Sequence, residues 1–215
     1  MDPADSTVRQ RLQEVALRMF AARGYAGTSV QHIVDAAGVT KPALYYYFRN
    51  KAGLYSELIR RAQDDRMTVM QTAAAGGGTV EERLANLLES LLRFSRERRD
   101  DTRLCYAGAI AAPEDVPNKA ETIRRARRNY EFVHGLIQEA QKAGELDPRQ
   151  NSRTLTSVIL GQWAYYALAQ AADPDHDKGL GNAQELVRLF LHGAAGKNAG
   201  DGLRSPLPHP ERELL

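Results

Sequence analysis

Apolar residues along this chain recur with the spacing of an α-helix almost throughout. In the first segment they fall three or four positions apart, which places them on one face of a helix over residues 8–23. These residues are Val8, Leu12, Val15, Ala16, Met19 and Phe20. Further helical segments are predicted at 28–37, 41–48, 51–73, 80–95, 123–140, 155–172 and 182–195. Because no segment shows the alternation of a strand, the pattern predicts an all-α fold.

The first part of the chain contains signals that begin short helices. Thr28 stands three residues before Gln31, which is the spacing of a capping box. Thr40 is expected to cap the next helix, because Pro42 suits a position in a first turn. Asn50 is expected to cap the helix after that. Short helices joined by a glycine turn predict a helix-turn-helix unit.

Composition along the chain predicts two domains and a tail. The break "AAAGGG" at 73–78 separates a first helical unit from a larger second one. We expect the first domain at 6–66, with its helix-turn-helix at 29–48, and the second domain at 67–196. Gly, Pro, Asp and Arg are frequent in 197–215, which predicts a flexible C-terminal tail.

Three consecutive tyrosines, Tyr45, Tyr46 and Tyr47, lie in the third short helix. Successive side chains of a helix are about 100° apart, so three neighbours cannot all face one core. Leu44 and Phe48, four positions apart, form the inward edge of this helix. At least one tyrosine ring is therefore expected to point outward, where an aromatic side chain suits a binding surface.

The charge of the chain is distributed unevenly. The formal net charge of +2 neither requires nor excludes nucleic acid as a partner. Residues 1–60 hold eight Lys and Arg against five Asp and Glu, a net charge of +3, whereas the remainder carries −1. This asymmetry favours the N-terminal part as the one that meets an anion.

Composition disfavours several classes of protein. One cysteine, Cys105, excludes an internal disulfide framework and suits a reducing compartment. No apolar run approaches the roughly 18 residues of a membrane span, and the N-terminal residues lack a signal-peptide pattern. We therefore expect a cytoplasmic protein with no membrane partner. The histidines lack metal-ligand spacing and the glycine-rich break lacks the residues of a phosphate loop, so neither cofactor nor catalysis is expected.

A set of residues between positions 8 and 60 occurs in register with a known family. They are Phe20, Gly24, Tyr25, Thr28, Ser29, Ile33, Ala37, Gly38, Val39, Leu44, Tyr45, Phe48, Lys51 and Leu54. Each is weak evidence alone, but together they make this segment similar to the DNA-binding domain of the tetracycline-repressor (TetR) family. The later segments resemble that family only in their helical layout.

The resemblance implies that the third helix enters the DNA major groove by its N-terminal residues. Lys41 is the expected reader of guanine, and Ala43, beside the short Pro42, can touch a thymine methyl group. Tyr45 is expected to face a base edge or a sugar. The residues expected to contact phosphate are Thr28, Ser29, Thr40 and Lys51.

Several of these assignments leave an alternative open. Lys41 can equally be a solvated surface lysine. Tyr46 lies on the outer face and Tyr47 on a flank from which its hydroxyl reaches a phosphate, yet either ring can instead pack partly against the first helix. Gln31 is divided between its place in the capping box and a contact to a base.

One helix-turn-helix contacts few base pairs, so such proteins bind as dimers across two half-sites. The resemblance implies that the last two predicted helices pair with their mates in a homodimer as a four-helix bundle. The segment 155–172 is apolar almost all round, which also predicts burial on more than one side. The expected interface residues are Leu160, Gly161, Leu168, Leu186, Val187, Phe190 and Leu191. Half of these can instead fill the core of a single chain.

In the family, a small molecule binds inside the second domain and changes the separation of the two reading helices. The expected pocket residues are Leu91, Phe94, Leu104, Cys105, Tyr130, His134, Trp163 and Tyr166. A cavity lined by aromatic and aliphatic side chains with few polar groups suits a mostly apolar ligand. The same side chains can also serve as plain core.

The expected function is that of a homodimeric, ligand-responsive transcriptional regulator that is not an enzyme. It is expected to repress by binding a palindromic operator in double-stranded DNA and to be released by a small-molecule effector. A regulator without a ligand, or an activator, is the alternative. A helical enzyme or binding protein that only mimics the motif is a remote alternative.

Overall fold

The computed structural model describes residues 3–173 and 182–193, and these residues confirm the all-α prediction. The helices are α1 Pro3–Arg23, α2 Val30–Ala37, α3 Lys41–Phe48, α4 Lys51–Ala74, α5 Val80–Glu97, α6 Arg99–Ile110, α7 Lys119–Lys142, α8 Ser152–Ala172 and α9 Ala183–His192. The tail predicted at 197–215 lies outside the described residues, as do positions 194–196 of the second predicted domain.

The caps of α3 and α4 are those that the sequence predicts. The Thr40 hydroxyl accepts a hydrogen bond from Ala43 N at 3.4 Å, and Asn50 Oδ1 accepts one from Gly53 N at 2.7 Å. These side chains satisfy backbone N–H groups that a helix leaves unpaired at its first turn. Both ends of the third helix are therefore defined by local chemistry.

The capping box predicted at α2 is wrong. Ser29, not Thr28, is the N-cap residue, and its Oγ accepts from His32 N at 3.1 Å. The Thr28 hydroxyl instead donates to Gly24 O at 2.9 Å, across the turn that follows α1. Gln31 donates to Asp35 Oδ1 at 2.6 Å on the surface of α2.

Helix α6 is absent from the sequence prediction. Its segment, "RDDTRLCYAGAI", has few large apolar residues, and its buried face includes the polar Asp101 and Thr102. Such a face gives no clear apolar stripe, so helical periodicity does not reveal it. Only tertiary packing shows what this helix does.

Two apolar cores share helices α4 and α6. The first lies among α1, α2, α3 and the start of α4, and Leu104 and Cys105 of α6 complete it. The second lies among α4, α5, α7, α8 and α9, and Tyr106 of α6 packs against it. Helix α4 runs unbroken through positions 66 and 67, where the sequence predicts a domain boundary. One continuous helix therefore belongs to both units.

Helix α8 is buried on one side only within a single chain. Ile159, Trp163 and Ala167 pack into the second core. Tyr165 and Leu168 on the other side are 62% and 58% exposed. The predicted burial on more than one side is therefore not met by this chain alone.

Gly108 permits the close approach of α6 to α4. A Cβ atom at this position would lie 2.8 Å from the Tyr55 hydroxyl, and the Tyr55 ring is itself buried and cannot swing away. We expect Gly108→Ala to lower the free energy of unfolding by about 1–2 kcal/mol, because overpacking outweighs the better helix propensity of alanine. Urea denaturation measures the change.

Gly135 is the matched control, since it lies inside α7 with no atom within 4 Å of an added Cβ. Gly135→Ala should raise stability by about 0.5–1 kcal/mol. Equal effects of the two substitutions would contradict the proposed close approach.

Candidate functional site

The surface built by α2, the following turn and α3 presents most of the residues singled out for DNA contact. Ten of the eleven, all but Thr28, are exposed or half-buried, and nine of these lie on α2, on α3 or at their N-caps. They are Ser29, Gln31, Thr40, Lys41, Pro42, Ala43, Tyr45, Tyr46 and Tyr47. Leu44 and Phe48 anchor the other side of α3 in the first core, so the helix holds this surface outward.

The three tyrosines divide as the 100° geometry of a helix requires. Tyr45 is 47% exposed and Tyr46 is 76% exposed. Tyr47 is half-buried and packs against the first core, with its ring centroid 6.3 Å from that of Phe48. Of the two tyrosines whose packing the sequence leaves open, Tyr47 is the one that packs inward.

Two residues expected to contact phosphate are instead used inside the protein. Thr28 is only 2% exposed, and its hydroxyl donates to backbone carbonyls. The Lys51 ammonium donates to Tyr25 O and Thr28 O, each at 2.9 Å, and lies 4.0 Å from the centroid of the Tyr25 ring. The prediction is corrected for both residues, because their polar groups already donate hydrogen bonds to backbone carbonyls at the end of α1 and in the turn that follows it.

Lys51 is therefore an internal clamp. Its two acceptors are carbonyl groups of the turn after α1, where oxygen atoms point away from the helix and attract a cation. Partial burial lowers the pKa of the Lys51 ammonium. The clamp links the start of α4 to the turn between α1 and α2.

Lys41 remains available to an anion at the N-terminal end of α3. It is exposed, and among the residues that the structure describes no carboxylate forms an ion pair with it. The unpaired N–H groups of a helix start add partial positive charge beside it. An exposed cation and two exposed phenol rings on one short helix form a surface suited to a polyanion with stacked bases.

Comparison with known proteins identifies this arrangement. The family model for bacterial regulatory proteins of the tetR family matches residues 12–58, and the model for the tetracyclin repressor-like C-terminal domain matches residues 77–167. The chain belongs to the TetR family. Its members and relatives are transcriptional regulators rather than enzymes, so the surface on α2 and α3 is a DNA-binding helix-turn-helix.

Individual relatives extend the likeness beyond the first domain. The transcriptional regulator YdgC of Bacillus subtilis is 27% identical over 189 residues, which are 86% of this chain and 91% of that protein. The transcriptional repressor KstR2 of Rhodococcus jostii is 34% identical over 110 residues, about half of each protein (49% and 52%). The solved FadR of Bacillus subtilis in complex with stearoyl-CoA is 18% identical, with a TM-score of 0.70 over 86% of this chain and 99% of that one.

A cavity of about 200 Å³ lies among α4, α6, α7 and α8 of this TetR-family chain. Of the eight residues expected to line a pocket, Cys105, Tyr130 and Trp163 do so. Burial raises the pKa of the Cys105 thiol to about 11, so this group is an apolar part of the wall rather than a nucleophile. Trp163 Nε1 donates to Ser95 Oγ at 2.9 Å, which holds the indole ring in place.

The other five predicted pocket residues do not line this cavity. Leu91 belongs to the second core and Leu104 to the first, and Phe94 is buried on α5. Both ring nitrogens of His134 have partners, Glu131 at 3.2 Å and Ser152 at 2.9 Å. Tyr166 is buried in the second core, with its hydroxyl 3.3 Å from Arg96 Nη1.

The residues that complete the cavity wall were missed by the sequence reasoning. They are Gln63, Arg66, Met70, Tyr106, Ala109, Ala126, Asn129 and Leu160. Gln63 and Arg66 stand in a polar run of α4 that has the composition of a solvated face. Only the packing of α4 against α6 and α7 places these two residues in the cavity wall.

The predicted dimer residues fall into three groups. Val187 is fully buried in the second core, and Leu160 lines the cavity, so both are corrected to roles within one chain. Leu168 and Gly161 are exposed on α8. The three other predicted residues, on α9, are half-buried; they are Leu186, Phe190 and Leu191.

Exposed apolar residues that the sequence reasoning missed extend this face. Val158 and Tyr165 lie three residues before and four residues after Gly161, and Leu168 follows three residues later. This spacing places them in one stripe along α8. Leu189 adds an exposed apolar side chain on the neighbouring α9. We call Val158, Gly161, Tyr165, Leu168 and Leu189 together the apolar stripe.

Within the described residues, no three His, Cys, Asp or Glu side chains come together as candidate metal ligands. In the same part of the chain, no helix is both long and apolar enough to cross a bilayer.

Substitutions at Lys51 and at Lys41 should differ in their effect on the stability of the chain. We expect Lys51→Met to lower the free energy of unfolding by about 1–3 kcal/mol, because the substitution removes two hydrogen bonds to backbone carbonyls. Lys41→Ala should change it by less than about 0.5 kcal/mol, as is usual for an exposed site. Urea denaturation followed by circular dichroism measures both. Equal stability of the two variants would show that Lys51 is not a clamp.

Proposed function

We propose that this TetR-family regulator is a homodimeric repressor that binds an inverted-repeat operator and is released by a small-molecule effector. The observation that carries the proposal is the outward face of α3, with Lys41 at its start and Tyr45 one turn later. A helix-turn-helix inserts the first residues of its second helix into the major groove. Such a regulator acts on the chromosome, which places it in the cytoplasm.

Direct reading of bases is assigned to the first turn of α3. Lys41 donates to guanine O6 and N7, and Ala43, beside Pro42, is small enough to lie against a thymine methyl group. Tyr45 contacts a base edge or sugar, and Tyr46 lies on the outer face. The proposed phosphate contacts are made by Ser29, Thr40 and the hydroxyl of Tyr47. Gln31, exposed on α2, is the proposed contact to a further base.

The apolar stripe is the proposed dimer interface. Exposed apolar side chains at spacings of three and four on α8, continued on α9, form a contiguous patch of the kind that marks association surfaces. Two copies that pair through α8 and α9 form a four-helix bundle with two-fold symmetry. That symmetry matches an operator made of two inverted half-sites.

The cavity is the proposed effector site. Gln63, Arg66 and Met70 of its wall belong to α4, the helix whose first residue is the clamp Lys51. A ligand that favours one position of α4 therefore changes the position of α3 and the separation of the two reading helices. Release requires that the ligand bind the non-matching conformation more tightly, since equal affinities shift no population. The FadR structure with stearoyl-CoA supports a ligand site in this fold.

Loss of either reading side chain should weaken operator binding. We expect Lys41→Ala and Tyr45→Ala each to cost about 1–3 kcal/mol of specific affinity, because each removes a contact to a base. The operator is obtained by selecting bound fragments from random duplexes, and anisotropy titration gives the affinities. Lys142→Ala, an exposed lysine at the end of α7, is the control and should bind like the unaltered protein. Unchanged affinity of both reading variants would overturn the assignment of α3.

A charge placed in the apolar stripe should separate the two copies. We expect Leu168→Glu to raise the dimer dissociation constant about 100-fold, because a carboxylate would be desolvated within the interface. Sedimentation equilibrium measures the constant, and operator affinity should fall with it. Ile123→Glu alters an exposed apolar residue outside the stripe and should leave the dimer intact. An unchanged dimer with Leu168→Glu would exclude this interface.

The direction of regulation is read from a reporter gene placed behind the selected operator. A repressor lowers expression when the chain is produced, and an activator raises it. Raised expression would replace repression with activation while leaving the DNA-binding assignment intact.

A further inference from the structure

The cavity has an apolar body and one cationic corner. Its apolar wall is formed by Met70, Cys105, Ala109, Ala126, Leu160 and Trp163. Ala109 is exposed to solvent, which places the mouth of the cavity at the end of α6. The cationic corner is Arg66, whose guanidinium carbon lies 5.0 Å from the centroid of the Trp163 ring.

Arg66 differs from the neighbouring arginines of α4. Arg60 pairs with Glu57 and Asp64, and Arg61 lies 3.9 Å from Asp101. Among the residues that the structure describes, no carboxylate forms an ion pair with Arg66, and its hydrogen-bond partner is the neutral Gln63 Oε1. Burial lowers the pKa of the Arg66 guanidinium, yet arginine stays protonated in proteins. A partly desolvated cation without an anion is destabilised until an anion reaches it.

Other polar atoms of the same wall are also unsatisfied. The hydroxyl of Tyr106 and Oδ1 of Asn129 are buried without a hydrogen-bond partner among the described residues. The amide nitrogen of Asn129 donates to Gln63 Oε1 at 2.9 Å, which connects Asn129 to the partner of Arg66. Each unpaired buried group costs free energy, so the wall has polar capacity that this chain alone does not use.

We propose that the effector of this cavity is a small apolar carboxylic acid, bound as its anion, with the carboxylate on Arg66 and the apolar body against Trp163. The inference rests on the proposed ligand-responsive function and names the class of ligand. The planar guanidinium is the side chain best suited to hold a carboxylate through paired hydrogen bonds.

Size limits the acid to a short one. A cavity of 150 Å³ in another protein holds one benzene molecule of six carbon atoms, so about 200 Å³ corresponds to about eight non-hydrogen atoms. Octanoate and 3-phenylpropionate are slightly larger than this, so each would fill the cavity and extend into its open mouth at Ala109. An acyl-CoA thioester such as that bound by the FadR structure is far larger and has no free carboxylate at its acyl end.

The chain contains a built-in reporter, since Trp163 is its one tryptophan and lines the cavity. We expect octanoate and 3-phenylpropionate to change the tryptophan emission in a saturable manner in the absence of DNA. Octanamide and 3-phenylpropanamide have nearly the same shape without the charge and should bind at least tenfold more weakly. Equal affinity of acids and amides would overturn the inference, and so would tight binding of stearoyl-CoA with no binding of either acid.

Arg66→Met removes the charge but keeps much of the apolar stem. It should weaken binding of the acids at least tenfold, leave the amides unchanged, and fold normally because no ion pair is lost. Arg66→Lys keeps a cation and should fall between the two. Arg93→Met, the same change at an exposed arginine of α5, is the control and should bind as the unaltered chain does. Acid affinity that is unchanged by Arg66→Met would refute the assignment.

Operator release distinguishes this inference from the proposed function. Acids that bind by tryptophan emission but do not release the operator would uphold the ligand class and refute effector control through this cavity. Neutral compounds that release the operator while no acid binds would refute the ligand class and uphold a ligand-responsive regulator.

Discussion

The close packing of α6 against α1 and α4 is the interaction on which the rest of the structure depends. Leu104 and Cys105 complete the core of the helix-turn-helix unit, while Cys105, Tyr106 and Ala109 line the cavity. The same two turns of helix therefore form part of both regions. The core beneath the DNA-binding surface is connected directly to the candidate effector site, because α4 and α6 contribute residues to both.

Specific groups determine how α6 lies against its neighbours. Gly108 leaves room for the Tyr55 hydroxyl, and the Tyr55 ring meets Phe20 of α1 edge to face with their centroids 5.2 Å apart. On the same side of α6, the buried carboxylate of Asp101 lies 3.9 Å from Arg61 of α4 and 3.7 Å from Arg98. Burial raises the pKa of Asp101 although both arginines oppose the rise. Packed rings and a buried carboxylate tolerate few alternative arrangements, so this contact fixes how α6 lies against α4.

Some polar groups of the helix-turn-helix unit are exposed at the surface, and others are already hydrogen-bonded within the chain. Lys41 and the rings of Tyr45 and Tyr46 stand at the surface, whereas Lys51 and Thr28 are held by backbone carbonyls. The occupied groups fix the turn between α1 and α2 to the start of α4, and this fixes the direction in which α3 points. Two lysines thus differ in availability: Lys41 is exposed at the start of α3, whereas Lys51 is bound to backbone carbonyls.

The sequence by itself determined the helices with clear periodicity and the caps at Thr40 and Asn50, because these depend on neighbours within a few positions. It determined the family through residues that occur in register between positions 8 and 60. It also determined that a tyrosine of α3 must face outward, since 100° per residue leaves no other arrangement. Tertiary structure alone decided which polar groups remain free: the same residue type is exposed at Lys41 and engaged at Lys51. It also decided the cavity wall, because Arg66, Tyr106 and Asn129 lie on three different helices and meet only where those helices cross. Local periodicity contains no information about such crossings, which are set by the packing of side chains distant in sequence.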